Sequence, residues 1–426
     1  MTQWLTWSGT LPFWRGEGKS SSWYVLKQRR FLVYFAGSLV SNLGTWLQNT
    51  AQMLLAYQLT HSAFAVGLIT CAQFSGFLVL GPWAGAVAER LGSTRVLIAT
   101  QFLSAGFAGM LAWLRFNGTL SERPLLIGAL GIGLAFTFAL PVQTAMVPNL
   151  VSKRDTKAAM AMNSVSYNAG RTLAPVLCVF VLASIGAAWV FALNAISFLV
   201  FAVTIIAVHP HRKSSPDRQA HDWLGLRVAV SQPRILLLLA MVAVVTIADD
   251  PVLVLGPALA HQVLAVSSLW PAYFLSALGF GTVLGALVPT KPSTARRAAV
   301  PLLVLALSVV AFTSGIAAWI SLLAAVTAGV AALLTGAATQ ALLFKTAGAQ
   351  QATNVMALWA VAWAGSKPVA SFMDGWLASN LGVRWAGLLL AAPALAVAVL
   401  ELHLPEKHKR RLKDFAYAHN SLLGGR

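Results

Sequence analysis

The stretch AFAVGLITCAQFSGFLVLGPWAGAVAERLGSTRVLIATQFLSAGFAGMLAWLR, from Ala63 to Arg115, decides the reading of this chain. Residues 63–88 carry no charge, a short turn from Glu89 to Arg95 follows, and a second apolar run reaches Arg115. A helix crossing the roughly 30 Å hydrocarbon core needs about 20 mostly apolar residues. Backbone groups in lipid must be paired inside the segment, so runs of this length are helices. The two runs are therefore two membrane spans, and the charged turn between them lies at one face.

The same pattern repeats outward in both directions. Spans are expected at 31–57, 63–88, 95–115, 125–149, 158–184 and 186–208, and again at 234–258, 267–289, 298–317, 319–345, 353–379 and 384–404. The run from Ala298 to Phe344 is too long for one helix and is broken at Gly315. Of 426 residues, 58% are hydrophobic and 10% are charged, with a mean hydropathy of +0.73. A soluble domain carries about a quarter of its residues as charges; lipid must be part of the solvent here. Cys71 and Cys178 lie in apolar runs without metal-ligand spacing and read as small core residues. No metal and no cofactor is expected, and no cleavable signal peptide.

The net charge of +18 would suggest nucleic acid in a soluble protein. Its placement says otherwise. Twenty-five of the 30 lysines and arginines fall in the two tails and the loops on the same side as the tails. Three, Arg115, Arg123 and Arg384, fall on the opposite side, and Arg171 and Lys367 lie inside spans. The positive-inside rule puts both tails in the cytoplasm, with the basic face against anionic lipid and no nucleic-acid partner. The division is a cytoplasmic N-tail at 1–30, a six-helix bundle at 31–208, a cytoplasmic linker at 209–233, a second bundle at 234–404 and a C-tail at 405–426. The N-tail, with Trp4, Trp7, Phe13 and Trp14, reads as disordered or as resting on the lipid surface. The inner membrane and a monomer are expected.

The halves echo each other at a spacing near 200 residues. Gly81 and Gly85 recur as Gly281 and Gly285, Gln143 as Gln340, and Ala174-Pro175 meets Lys367-Pro368. Matches in order on corresponding helices are what parallel repeats about a membrane-normal axis produce, with a cavity between them.

Three segments carry a family resemblance. The turn after span two, Gly85-Ala-Val-Ala-Glu89-Arg90-Leu-Gly92-Ser-Thr-Arg95, resembles the loop 2–3 signature of the major facilitator superfamily, with Glu89 in the place of the usual aspartate. Ser41 to Leu68 (SNLGTWLQNTAQMLLAYQLTHSAFAVGL) and Met162 to Leu177 (MNSVSYNAGRTLAPVL) are similar to its transmembrane secretion effector branch, which contains the enterobactin exporter. The resemblance implies an all-α membrane fold of twelve transmembrane helices in two pseudo-symmetric six-helix halves, alternating access and efflux, commonly proton-driven. It implies a conformational role for Gly85, Glu89, Arg90, Gly92 and Arg95. Span one has no acid and span four no basic residue, both frequent in drug/proton antiporters of the superfamily. In the second half, Pro289 stands where the acid of the loop motif would be, beside Lys291, Arg296 and Arg297.

Ionisable groups at bilayer depth are costly and face a cavity or a partner. Arg171 and Lys367 sit mid-span on equivalent helices; they either attract an anionic or catecholate-like substrate or pair with an acid to lock their helix. Asp249 and Asp250, before Pro251, are candidate proton carriers or a hydrated outer gate. Asp374, seven residues after Lys367 on the same helix face, is a third candidate for proton coupling; otherwise it pairs with a cation on a neighbouring helix or caps the helix end. Gln48, Asn49, Gln52, Gln143 and Gln340 either bind substrate or hydrogen-bond helix to helix. The expected function is secondary transport, a proton-coupled exporter of a small amphipathic or anionic molecule, siderophore-like or drug-like. An uncoupled facilitator or a lysophospholipid or solute importer of the same fold is the alternative. No intramembrane His/Asp cluster, serine motif or large loop domain points to an enzyme, and a membrane enzyme or non-transporting sensor is the remotest reading.

Overall fold

The computed structural model describes residues 22–152, 154–208, 233–267, 269–288 and 295–403. Most of the N-tail, the linker between the halves, Pro289, Lys291 and the C-tail lie outside the described residues, as do the side chains of Glu89, Arg296 and Arg297. The described residues hold helices and turns and no strand.

The first half comprises α1 (Arg29–Thr60), α2 (Ala63–Val79), α3 (Gly81–Leu91), α4 (Ser93–Phe116), α5 (Glu122–Met146), α6 (Thr156–Ser184) and α7 (Ala187–Val208). The second comprises α8 (Pro233–Val254), α9 (Trp270–Leu287), α10 (Ala295–Ser314), α11 (Ala318–Leu381) and α12 (Val383–His403). Eight stretches are long and apolar enough to cross a membrane, and Ala63–Val79 and Ala298–Ser314 are shorter apolar helices. The 32-residue α1 is not among the eight. Its polar residues between Ser41 and Gln52 lower its average, and the fold buries several of them: Gln48 is 1% exposed and Gln52 2%. Large apolar side chains such as Phe102, Phe180, Leu307 and Trp113 are exposed. Polar groups inside and apolar groups outside suit a protein surrounded by lipid.

Three spans depart from the expectation of one helix each. The second divides into α2 and α3 at Leu80, because Pro82 in the first turn of α3 has no N–H to continue the ladder. The tenth and eleventh share one helical assignment, α11, of 64 residues. Straight, it would measure about 96 Å at 1.5 Å per residue. It doubles back instead: a Cβ on Gly329 would lie 2.0 Å from the Leu278 carbonyl oxygen, and Leu278 lines the same cleft as Lys367. The break at Gly315 is present, with a left-handed φ of 59° between α10 and α11.

The repeat has a physical basis in backbone crossings. A Cβ on Gly133 of α5 would sit 2.0 Å from the Gln73 carbonyl oxygen of α2. In the second half α11 and α9 cross in the same way, at Gly329 over Leu278 and Gly281 against Val326. The repeat-related glycines at the end of span two make no such crossing. A Cβ on Gly81 or Gly85 would meet nothing within 4 Å, because α3 veers off after Leu80.

Candidate functional site

The halves meet along two helix pairs, α2 with α11 and α6 with α9. Glycines draw α6 close on both sides. A Cβ on Gly170 would lie 2.9 Å from the Asn42 carbonyl of α1, and one on Gly279 of α9 would lie 2.9 Å from Cα of Thr172. The residue between, Arg171, is thereby carried to the boundary. Its Nη2 donates to Oδ2 of Asp249 on α8 at 2.7 Å. Lys367 of α11 donates from Nζ to Oδ1 of Asp250 at 2.8 Å, and the Ser371 hydroxyl donates to the other oxygen of Asp250.

Asp249 and Asp250 are adjacent on α8, which carries Pro251 inside it and passes into a π-helical turn at Leu259–Val263. Pro251 withdraws one backbone donor, so the helix is locally irregular where it lines the boundary. Each cation lies over an aromatic ring of the first half: the Arg171 guanidinium carbon is 6.0 Å from the Trp46 centroid, and Lys367 Nζ is 5.7 Å from that of Phe74. Cation–π attraction strengthens when the pair is desolvated. Lys367 is 4% exposed and Asp250 1%, so this pair is withdrawn from water. The Arg171 side chain is 22% exposed and faces the cleft.

Trp46, Thr50, Met53 and Phe74 from the first half and Leu253, Leu275 and Leu278 from the second complete the cleft around the four charges. A second pocket shares Trp46 and Phe74 and extends into the first half between Asn42, Thr45, Asn49, Gln73, Phe136 and Tyr167. The combined lining is aromatic and amide-rich, with paired charge at one end.

Away from the basic loops the halves are shut against each other. Phe64 N donates to Ser379 Oγ at 3.1 Å, Phe64 packs on Phe372, and Tyr57 stacks on His261 at 5.3 Å between centroids. A Cβ on Gly67 of α2 would lie 2.3 Å from the Ser371 carbonyl oxygen, and one on Gly375 of α11 would lie 2.9 Å from Cα of Phe64. Toward the basic face, exposed Ser164 and Asn168 continue the α6 stripe of Arg171.

The other expected residues are distributed unevenly. Asn49 lines the second pocket and accepts from Gln73. Gln48 and Gln52 instead tie helices together: Asn194 of α7 donates to Gln48 at 2.7 Å, and Gln52 donates to the Leu125 carbonyl of α5 at 3.5 Å. Gln143 and Gln340 are half-buried and line neither pocket; the Gln143 carbonyl accepts from the Tyr34 hydroxyl. Gly92, at φ 91°, makes the turn between α3 and α4, and Arg90 and Arg95 beside it are exposed. Asp374 makes neither an ion pair with a neighbouring helix nor a cap: it is 0% exposed, and both carboxyl oxygens lack a hydrogen-bond partner among the described residues.

Sequence reasoning missed Trp46, Phe74, Tyr167, Gln73 and Ser371. Gln73 alone carried a signal, as an amide isolated in the uncharged run from Ala63 to Ala88. Aromatic residues in a membrane helix look alike whether they face lipid or a cleft.

Comparison with known proteins agrees with this architecture. The family model described as transmembrane secretion effector matches residues 20–421. The staphyloferrin A transporter of Staphylococcus aureus is 24% identical over 198 residues, 46% of this chain and 50% of that protein. The enterobactin exporter of Shigella flexneri is 26% identical over 279 residues, 63% of this chain and 64% of that one. The chain thus spans between half and just under two thirds of the length of these curated relatives. Among solved structures, the nucleoside transporter NupG superposes with a TM-score of 0.68 at 11% identity, covering 88% of this chain and 98% of that one. A bacterial homologue of the human lysosomal transporter Spinster gives 0.67 at 14%, covering 88% and 94%. The D-xylose–proton symporter gives 0.62 at 16%, covering 88% and 97%. At these identities the structures speak for the fold alone.

Proposed function

The chain belongs to the transmembrane secretion effector family of the major facilitator superfamily of membrane transporters, and from that premise we propose that it exports a small amphipathic or anionic molecule, siderophore-like in chemistry, in exchange for protons. The basic face is cytoplasmic in this reading, both tails lie there against anionic lipid, and the membrane is the inner one. The observation that carries it is the cleft at the boundary of the halves, where Arg171 and Lys367 are each held by an acid and each faced by an aromatic ring. An anion entering from the basic face competes with Asp249 for the partly exposed Arg171. Its rings lie against Trp46 and Phe74, and its polar atoms meet Asn49 and Gln73. Rocking of the halves then carries it across, as in other transporters built of two repeats.

The enterobactin exporters among the relatives make enterobactin the first probe. Proteoliposomes should accumulate it against its gradient when an outward proton gradient (acid lumen) is imposed, and an uncoupler should abolish the accumulation. Uptake that only equilibrates the substrate, and that ignores both the proton gradient and the uncoupler, would move the assignment to an uncoupled facilitator. One observation favours that second reading: α1 carries no acid from Phe31 to Thr60, and α5 carries no basic residue beyond Arg123 at its start.

A further inference from the structure

Three acids stand near the cleft, and they are not equivalent. On α11, Lys367, Ser371 and Asp374 fall at i, i+4 and i+7, one stripe of the helix. Asp250 of α8 accepts from the first two. The third, one turn further on, has neither a donor nor an ion-pair partner among the described residues: it is 0% exposed and both its oxygens lack a hydrogen-bond partner there. Burying a carboxylate in that condition is far costlier than burying the neutral acid. Among the described residues no hydrogen bond relieves that cost. The charges within electrostatic reach are Asp250 and Lys367, and Lys367 is already engaged. The facing helix α2 carries no charged residue from Ala63 to Val79. On α12, Arg384 is exposed and bonds to the Ser314 carbonyl, while His261, beyond α8, stacks on Tyr57.

Asp374 also lies under the contact that shuts the halves. The Gly67 crossing touches the Ser371 carbonyl, and Gly375, the next residue, lies against Ala63, Phe64 and Gly67. Gly375, the neighbour of Asp374 in the chain, is therefore held against α2, and parting α2 from α11 on that face loosens the packing beside Asp374.

We propose that Asp374 carries the exchanged proton, and that the glycine seam of Gly67 and Gly375 controls its access to water on the face away from the basic loops. With the seam parted, a hydronium gives its proton to the Asp374 carboxylate and leaves as water. With the seam shut the acid keeps its proton, the neutral form being the cheaper one to bury. When the halves open toward the basic face and water reaches the carboxyl, the O–H bond breaks toward that water and the carboxylate remains, two turns from the Lys367 ammonium. The inference rests on the exporter reading above only for the direction of exchange.

The test has two arms. Infrared spectra of the protein in lipid nanodiscs at neutral pH should show the C=O stretch of a protonated carboxylic acid. Asp374→Asn should remove that band and Asp249→Asn should leave it. A wild type without the band, or a band indifferent to Asp374→Asn, overturns the assignment. In Gly375→Ala, whose added methyl obstructs the seam, the band should titrate with the bulk buffer; a band that stays untitratable overturns the role of the seam. The second arm uses proteoliposomes with a trapped pH dye and enterobactin as probe. The wild type should move protons against enterobactin, and Asp374→Asn should bind enterobactin while moving none. Proton movement retained in Asp374→Asn overturns the proposal. If the wild type moves neither species, the exporter reading fails, and the infrared arm still decides Asp374.

Discussion

Arg171 and Asp249 meet at 2.7 Å across the boundary of the two halves, whereas Lys367 and Asp250, at 2.8 Å, both belong to the second half. The difference matters for a protein whose halves rock against each other. The first pair is stretched or broken by that motion; the second travels intact with its bundle. Two ion pairs that look alike in distance therefore have different work to do.

The first prediction follows from this. Arg171→Gln and Asp249→Asn should each lower the melting temperature in detergent, because each leaves a charge in the cleft without its partner. The double variant should melt above the sum of the two losses, with a coupling energy of about 1–3 kcal/mol as expected for groups in contact. Transport should be lost in all three. Strictly additive losses would mean that the pair does not couple the halves.

How much of this was legible beforehand depends on the kind of information asked for. Spans, the repeat and the mid-depth charges Arg171, Lys367, Asp249, Asp250 and Asp374 could be read directly, since each is a local departure from an apolar run. Which charge meets which could not. A helical period places residues on a face of their own helix and says nothing about the neighbour across from it. The same limit hid the difference between Asn49, which lines a pocket, and Gln48, which is spent on Asn194.

The glycines divide into those that carry a crossing and those that do not, and this gives a second prediction. Gly133→Ala and Gly329→Ala each place a methyl 2.0 Å from a backbone oxygen, which the crossing helix cannot yield without moving. Both should lower expression and melting temperature. Gly85→Ala meets open space on a helix where alanine is intrinsically better than glycine by about 0.5–1 kcal/mol. It should be neutral or stabilising. A Gly85→Ala protein that melts early would show that α3 packs more tightly than described.

A third prediction separates structural amides from binding ones. Gln48 accepts from Asn194 at 2.7 Å inside the first half, an interhelical bond worth about 0.6 kcal/mol and at most about 2 in membrane proteins. Gln48→Leu should reduce stability by that order and leave the affinity for enterobactin unchanged. Asn49→Leu and Trp46→Ala, at the pocket walls, should weaken binding in a thermal-shift titration; Asn49→Leu also removes the acceptor of Gln73 and should cost stability of the same order as Gln48→Leu. Reversal of the two patterns would exchange the roles of Gln48 and Asn49.

The seam between α2 and α11 supplies the last prediction. Gly67 approaches the Ser371 carbonyl so closely that a methyl would stand 2.3 Å from its oxygen. Neither backbone can yield within its own helix, so the methyl is accommodated by separating the halves on that face. Gly67→Ala should therefore shift the population toward the conformation open away from the basic loops, without disturbing the crossings inside either half. Thr70, 2% exposed and one turn below Gly67, reports on this. In a background with Cys71 and Cys178 replaced by serine, Thr70→Cys should resist a membrane-impermeant maleimide applied from that face and should label rapidly once Gly67→Ala is added. Unchanged protection would mean that the seam closes around the methyl, and that closure on this face is held instead by Tyr57 with His261 and Phe64 with Phe372.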